Sequence, residues 1–220
     1  MSRCPRPRLH LKKICPTSTS LLVLAALACA SATHATIVGL NQIVTPDIQP
    51  AGLLSLSAQA QHRLIGNGQQ IQFELGLTPR IEVAWFQGLK PTEGFFSTEL
   101  NLLQQGPHLL TAGAINWSTR GANPQPVLEY GYYTDRDHYV AGAIYVEGHP
   151  ELLLGYRRQI SESFQFSADF QSGPGNSSTV GFTYNFTPAL SINPALYYTN
   201  TSKHHLLGYV VLTYNLTVWK

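Results

Sequence analysis

Six short stretches of this chain alternate apolar and polar residues with almost no error. The clearest are Ile71-Gln72-Phe73-Glu74-Leu75, Phe164-Gln165-Phe166-Ser167-Ala168-Asp169-Phe170 and Val180-Gly181-Phe182-Thr183-Tyr184-Asn185-Phe186. Leu54 to Gln59, Leu190 to Asn193 and Leu212 to Val218 repeat the pattern. Side chains switch faces at every residue of a strand, so each stretch has one greasy face and one wet face. The chain must therefore fold as sheet. A water-soluble antiparallel sheet would carry the same alternation, so the solvent has to be read elsewhere.

The first 35 residues read as a secretory signal. Arg3, Arg6, Arg8, Lys12 and Lys13 precede an apolar run from Leu21 to Ala30, and small residues around Ala32 and Ala35 offer cleavage points. That run is too short to cross a bilayer as a helix, which needs about 20 residues. All three cysteines, Cys4, Cys15 and Cys29, lie in this leader. The rest of the chain cannot be a disulfide-stapled domain. Taking the five leader charges from the 14 Lys/Arg of the chain leaves nine against 12 Asp/Glu, a formal charge of −3. The basic balance of the whole chain belongs to the leader and does not argue for nucleic acid.

Only 12% of residues are charged, against about a quarter in ordinary soluble domains. Sparse charge, abundant Tyr and Phe, and no apolar run of helix-spanning length together predict an all-β fold: a closed antiparallel transmembrane β-barrel of about 12 strands over 52–220. Residues 36–51 contain two prolines and no clean period, and read as a periplasmic lead-in or a short plug.

Twelve strand-like runs occupy 53–61, 69–77, 80–87, 95–103, 108–117, 126–133, 138–146, 151–157, 164–171, 179–186, 190–199 and 206–219. Their connections alternate in character. Those at 78–79, 105–106, 134–137, 158–163 and 187–189 are the tighter set. Those at 62–68, 88–94, 118–125, 147–149, 172–178 and 200–205 are mostly longer and richer in Gly, Asn and Ser. Outer-membrane barrels have short periplasmic turns and longer outer loops, so the tighter set predicts the periplasmic side.

The apolar phase includes Phe73, Trp85, Phe166, Phe182, Tyr184 and Tyr214, expected to face lipid. No Lys, Arg, Asp or Glu falls in it, as a lipid-facing surface requires: one Lys or Arg at mid-depth costs about 2–4 kcal/mol. The polar phase contains Glu74, Glu82, Glu99, Glu129, Glu151, Arg157 and Asp169, expected to line the lumen: either an acidic passage that favours cations or polar solutes, or a closed interior in which the carboxylates pair with arginines and Gln/Asn amides. Glu82 with Arg80, and Arg157 with Glu151, are expected to form ion pairs at the rim. The runs at 108–117 and 138–146 can be read in either phase.

The last run, Gly208 to Trp219, resembles the terminal strand of Gram-negative outer-membrane proteins, an amphipathic strand closing on an aromatic. Here Lys220 follows the aromatic. Together with the leader and the alternating strands, the resemblance to the outer-membrane β-barrel class covers most of the chain. It implies residence in the outer membrane after leader cleavage, contact with outer-membrane lipid and insertion by the barrel-assembly machinery through the last strand.

Three functions are consistent with these residues. The first is a small passive pore for polar solutes, or a structural envelope protein. The second is a soluble periplasmic or secreted β-sandwich or lipocalin-like binder, which sparse charge disfavours. The third is a barrel lipid hydrolase, which needs a Ser within reach of an oriented His. Five of the six histidines after the leader fall in connections or at strand ends, and none sits in a Ser-containing motif of such enzymes. No catalytic set, cofactor or metal site is expected.

Overall fold

The computed structural model describes residues 39–121 and 123–219; the leader expected at 1–35 lies outside the described residues. The chain forms β1 (Leu53–Gln61), β2 (Gln69–Thr78), β3 (Ile81–Leu89), β4 (Thr92–Gln105), β5 (His108–Ser118) and β6 (Gln125–Tyr133). It continues as β7 (Asp137–Val146), β8 (His149–Gln159), β9 (Phe164–Gln171), β10 (Ser177–Asn185), β11 (Leu190–Thr199) and β12 (Leu206–Thr217). Each strand pairs antiparallel with its neighbours in sequence, and β1 pairs with β12 from Leu53↔Thr217 to Gln61↔Tyr209. The sheet is a closed barrel without an edge. In hydrocarbon each unpaired backbone group costs several kcal/mol, and closure is how a sheet avoids that cost.

One expected connection is replaced by strand. Residues 88–94 do not form a loop: Gly88↔Glu93 and Leu89↔Thr92 are paired, leaving a two-residue turn at Lys90-Pro91. The glycines there serve close approach. A Cβ on Gly94 would lie 2.3 Å from the Trp85 ring. The β7–β8 connection is likewise only Glu147-Gly148, both at positive φ (48° and 91°), the backbone of a tight hairpin turn. Long and short connections therefore alternate less regularly than the composition suggests. The segments 62–68, 119–121, 172–176 and 200–205 still gather at one end of the barrel, its loop end.

Alternation decides which side chains face out. The exposed phase presents Phe73, Trp85, Leu128, Tyr130, Leu152, Leu154, Val180, Phe182, Tyr184, Leu212, Tyr214 and Leu216. Phe166 lies in the same phase, opposite Phe182. Among the described strand residues, the charges in this phase are Asp137 and Arg158, a pair at 3.4 Å at the short-turn end. Tyr132, Tyr139, Tyr156 and Phe166 form a row near that end, with successive ring centroids 5.2–6.5 Å apart. Trp117, Tyr145 and Tyr198 stand near the strand ends on the opposite side.

The two ambiguous runs take one phase each. Thr111 and Ile115 of β5, and Val140 and Ile144 of β7, point inward and are buried. Ile115, Val140 and Ile144, with Val127 and Leu153, build an apolar inner wall over β5–β8. These strands carry apolar residues on the packed inner face and on the exposed outer face alike, which explains why their sequence reads apolar in either phase.

Candidate functional site

The lumen is occupied. Residues 39–51 carry little regular structure, yet Leu40, Asn41, Ile43, Thr45 and Gln49 are buried. Leu40 and Ile43 pack on the apolar wall of Val140, Ile144 and Leu153. Burying each is worth about 1.5–3 kcal/mol. A prolyl carbonyl adds a polar tie: Thr111 donates its hydroxyl to the Pro46 oxygen at 2.8 Å.

Asn41 is the polar centre of this segment. Its backbone N–H donates to Asp169 Oδ2 at 2.7 Å, and its amide donates to the Thr179 hydroxyl at 3.0 Å. Its side-chain oxygen accepts from Ser167 at 3.0 Å and from Asn193 at 3.3 Å, and its carbonyl accepts from the Tyr197 hydroxyl. One residue thus satisfies polar groups on β9, β10 and β11. Buried polar groups of this kind cost about 1–3 kcal/mol each when left unpaired.

Two more anchors sit lower. Asp47 accepts from Arg157 Nη2 at 3.1 Å and from the Tyr133 hydroxyl at 2.9 Å. Gln49 donates its backbone N–H to Glu82 at 2.6 Å and its amide to Ser55 at 2.5 Å, and Ser55 donates on to Asn215 at 2.7 Å. Both ion pairs expected from sequence are therefore corrected. Arg157 pairs with Asp47 rather than Glu151, and Glu82 takes a backbone N–H rather than Arg80. The sequence separation explains the miss: Asp47 and Arg157 are 110 positions apart. Asp47→Asn is expected to cost about 2–3 kcal/mol, because the half-buried pair loses its charge while Arg157 stays in place. Denaturant titration of the folded barrel checks this, and a change under about 0.5 kcal/mol, the range of an ordinary surface substitution, would contradict it.

The wall has been cut to fit the segment. Inward-facing Gly76, Gly131, Gly155 and Gly181 come from four separate strands. A Cβ on Gly76 would sit 2.3 Å from the Gln49 carbonyl oxygen, on Gly131 2.8 Å from Pro46, on Gly155 2.4 Å from Leu40, and on Gly181 2.4 Å from the Asn41 side-chain oxygen. A Cβ at Gly76 would collide with the segment's backbone, and at the other three the segment's side chains would have to shift from their present packing.

The expected lumen residues are all inward but differ in their partners, Glu82, Asp169 and Arg157 being the ones the segment engages. Glu74, Glu82, Glu99 and Glu129 are buried along β2, β3, β4 and β6, with Glu82 directly opposite Glu99. Asp169 and Arg157 are buried but engaged by the segment. Glu151 is half-buried and accepts from Gln171 at 2.7 Å and Asn176 at 2.9 Å. Among the described residues the ion pairs are those of Arg157 and Arg158, so the four glutamates have no cationic partner. Above the segment, toward the loop end, lies a vestibule of about 590 Å³, and a cavity of about 60 Å³ lies beside Glu74, Glu82 and Glu99.

The histidines are dispersed. His138 lies inside, 2.5 Å from Arg157 Nη2 and stacked on Tyr133, while His108 meets the Tyr130 hydroxyl on the outer face. Among the described residues none is hydrogen-bonded to a serine hydroxyl, and no group of three His, Asp or Glu is placed to hold a metal ion.

Neither a protein-family profile nor a curated protein sequence matches the chain. Solved structures do match. The KdgM porin in complex with disordered oligogalacturonate superposes with a TM-score of 0.55 at 9% identity, over 74% of this chain and 98% of that one. The NanC porin gives a TM-score of 0.53 at 9% identity, over 73% and 97%. In architecture, this closed twelve-stranded antiparallel barrel is similar to outer-membrane porins.

Proposed function

We propose that this chain is an integral outer-membrane barrel that admits small polar solutes to its lumen, and that residues 39–51 hold the path closed. The supporting observation is the pairing of an apolar outer belt, whose strand charges among the described residues are Asp137 and Arg158 at the short-turn end, with a largely polar interior that packs around residues 39–51. The belt suits hydrocarbon, and aromatic rows near both strand ends suit the headgroup level. A purely structural barrel would have no need of a separate polar stopper, since side chains alone can fill a small barrel. The short-turn end would face the periplasm, with the leader removed during export and the last strand read by the insertion machinery. The structural likeness to porins supports a non-enzymatic role.

Single-channel recording in planar bilayers tests this reading. The full refolded chain should stay closed, whereas a variant lacking residues 39–49 should give stepwise conductance. Neutralising Glu74 and Glu99 in that variant should reduce its preference for cations, because a fixed acidic lining concentrates them. Silence from both chains would leave a structural envelope role, and equal conductance from both would show that the segment closes nothing.

A further inference from the structure

We propose that the loop-end vestibule binds a small organic cation bearing primary ammonium groups, with one ammonium seated at Glu74. Among the described residues, the vestibule wall includes Glu74, Glu147 and Glu151 and contains no Lys, Arg or His. The inward-facing Arg157 is committed to Asp47. Every ionisable side chain of strong charge facing this space is therefore acidic, and its field disfavours an anion such as a polyuronate.

Glu74 marks the floor. It borders both the vestibule and the smaller cavity that also contains Glu82 and Glu99. It is 5% exposed, and its Oε2 has no protein donor; neither do Glu99 Oε1 and both carboxylate oxygens of Glu129 just beyond. Buried carboxylate oxygens without donors are costly, and a group that brings several N–H bonds and a positive charge removes that cost. An ammonium does both. A metal ion suits the site less well, since it demands several oxygens converging at about 2.0–2.6 Å and the described residues converge no such set.

The remaining wall fits an alkyl chain leading from that head. Tyr197 and Tyr209 form one panel, with ring centroids 5.4 Å apart, and Phe86 stands in the same space. Aromatic faces attract cations and cover methylenes. Glu151, held by the amides of Gln171 and Asn176, offers a second carboxylate toward the rim. A linear polyamine matches this order of carboxylate, aromatic wall and carboxylate.

This site rests on reading the lumen as a solute compartment, but binding needs no conduction and is measured separately. Isothermal titration of the full refolded chain in nonionic detergent, at low ionic strength, compares spermidine, maltotriose and Mg²⁺. Spermidine should bind, Glu74→Gln should weaken it about tenfold, and Glu151→Gln should weaken it to a smaller degree, as lost charge-assisted hydrogen bonds do. Added salt should weaken it further. Equal spermidine affinity in all three chains, no spermidine binding by the unaltered chain, or tighter binding of maltotriose or Mg²⁺ would each overturn the proposal. Failure of the shortened chain to conduct would strike the pore and leave this binding result standing; conduction without spermidine binding would strike only this site.

Discussion

Phe182→Arg is expected to destabilise the barrel in lipid vesicles by about 2–4 kcal/mol, the cost of a guanidinium near mid-depth. Phe182 lies near the centre of β10, opposite Phe166, and is 39% exposed in the isolated chain. For a protein in water, a charge at so exposed a position would change stability by no more than about 0.5 kcal/mol. The two environments thus predict outcomes several-fold apart for the same substitution. Ser202→Arg, in an exposed loop, serves as the control and should be neutral. Equilibrium unfolding of both variants from vesicles reads the difference, and a neutral Phe182→Arg would contradict a lipid-facing belt.

The second large effect concerns the glycine cradle. Gly155→Val places a Cβ 2.4 Å from Leu40 and 3.1 Å from Ile43, where the segment meets the apolar wall. Overpacking of this kind costs about 1–3 kcal/mol, and the irregular segment yields more easily than the closed sheet. Residues 39–44 should leave the wall, become cleavable by added protease, and allow conductance bursts in a chain otherwise closed. Gly208→Val adds the same methyl groups where nothing lies within 4 Å and should change neither readout. Full protection of residues 39–44 in Gly155→Val, with the path still closed, would show that the glycine is not shaped for the segment.

Much of the barrel can be read from alternation, because its cause is local. The runs at 53–61, 164–171 and 190–199 coincide with β1, β9 and β11, where polar and apolar residues largely exchange faces. The β3–β4 hairpin is hidden for a local reason as well. Gly88, Pro91 and Gly94 carry the composition of a loop, yet the two glycines make room for Asn67 and the Trp85 ring within paired strands. The inner apolar wall is harder to see. Val127, Val140, Ile144 and Leu153 fall in the phase that a water-filled lumen would make polar, and only the packing of Leu40 and Ile43 accounts for them. The candidate site is legible by residue type but not by partnership. Glu74, Glu82, Glu99 and Glu129 share the inward phase, whereas the roles of Asn41, Asp47 and Gln49 depend mainly on contacts 33 to 156 positions away, beyond any periodic signal.

An exposed apolar even-numbered face of β10, and buried side chains on its odd-numbered face, is the arrangement on which the proposed pore and stopper both rest. The three cysteines of the chain are Cys4, Cys15 and Cys29, so single cysteines at 179, 180, 182 and 183 in a chain lacking residues 1–35 can each take a spin label. Oxygen dissolves in hydrocarbon and a charged nickel reagent stays in water, so their relative effects on each label report its surroundings. High oxygen and low nickel accessibility is predicted at 180 and 182, with low accessibility to both at 179 and 183. Equal accessibility along the strand, or nickel reaching 180 and 182, would contradict a lipid-embedded barrel.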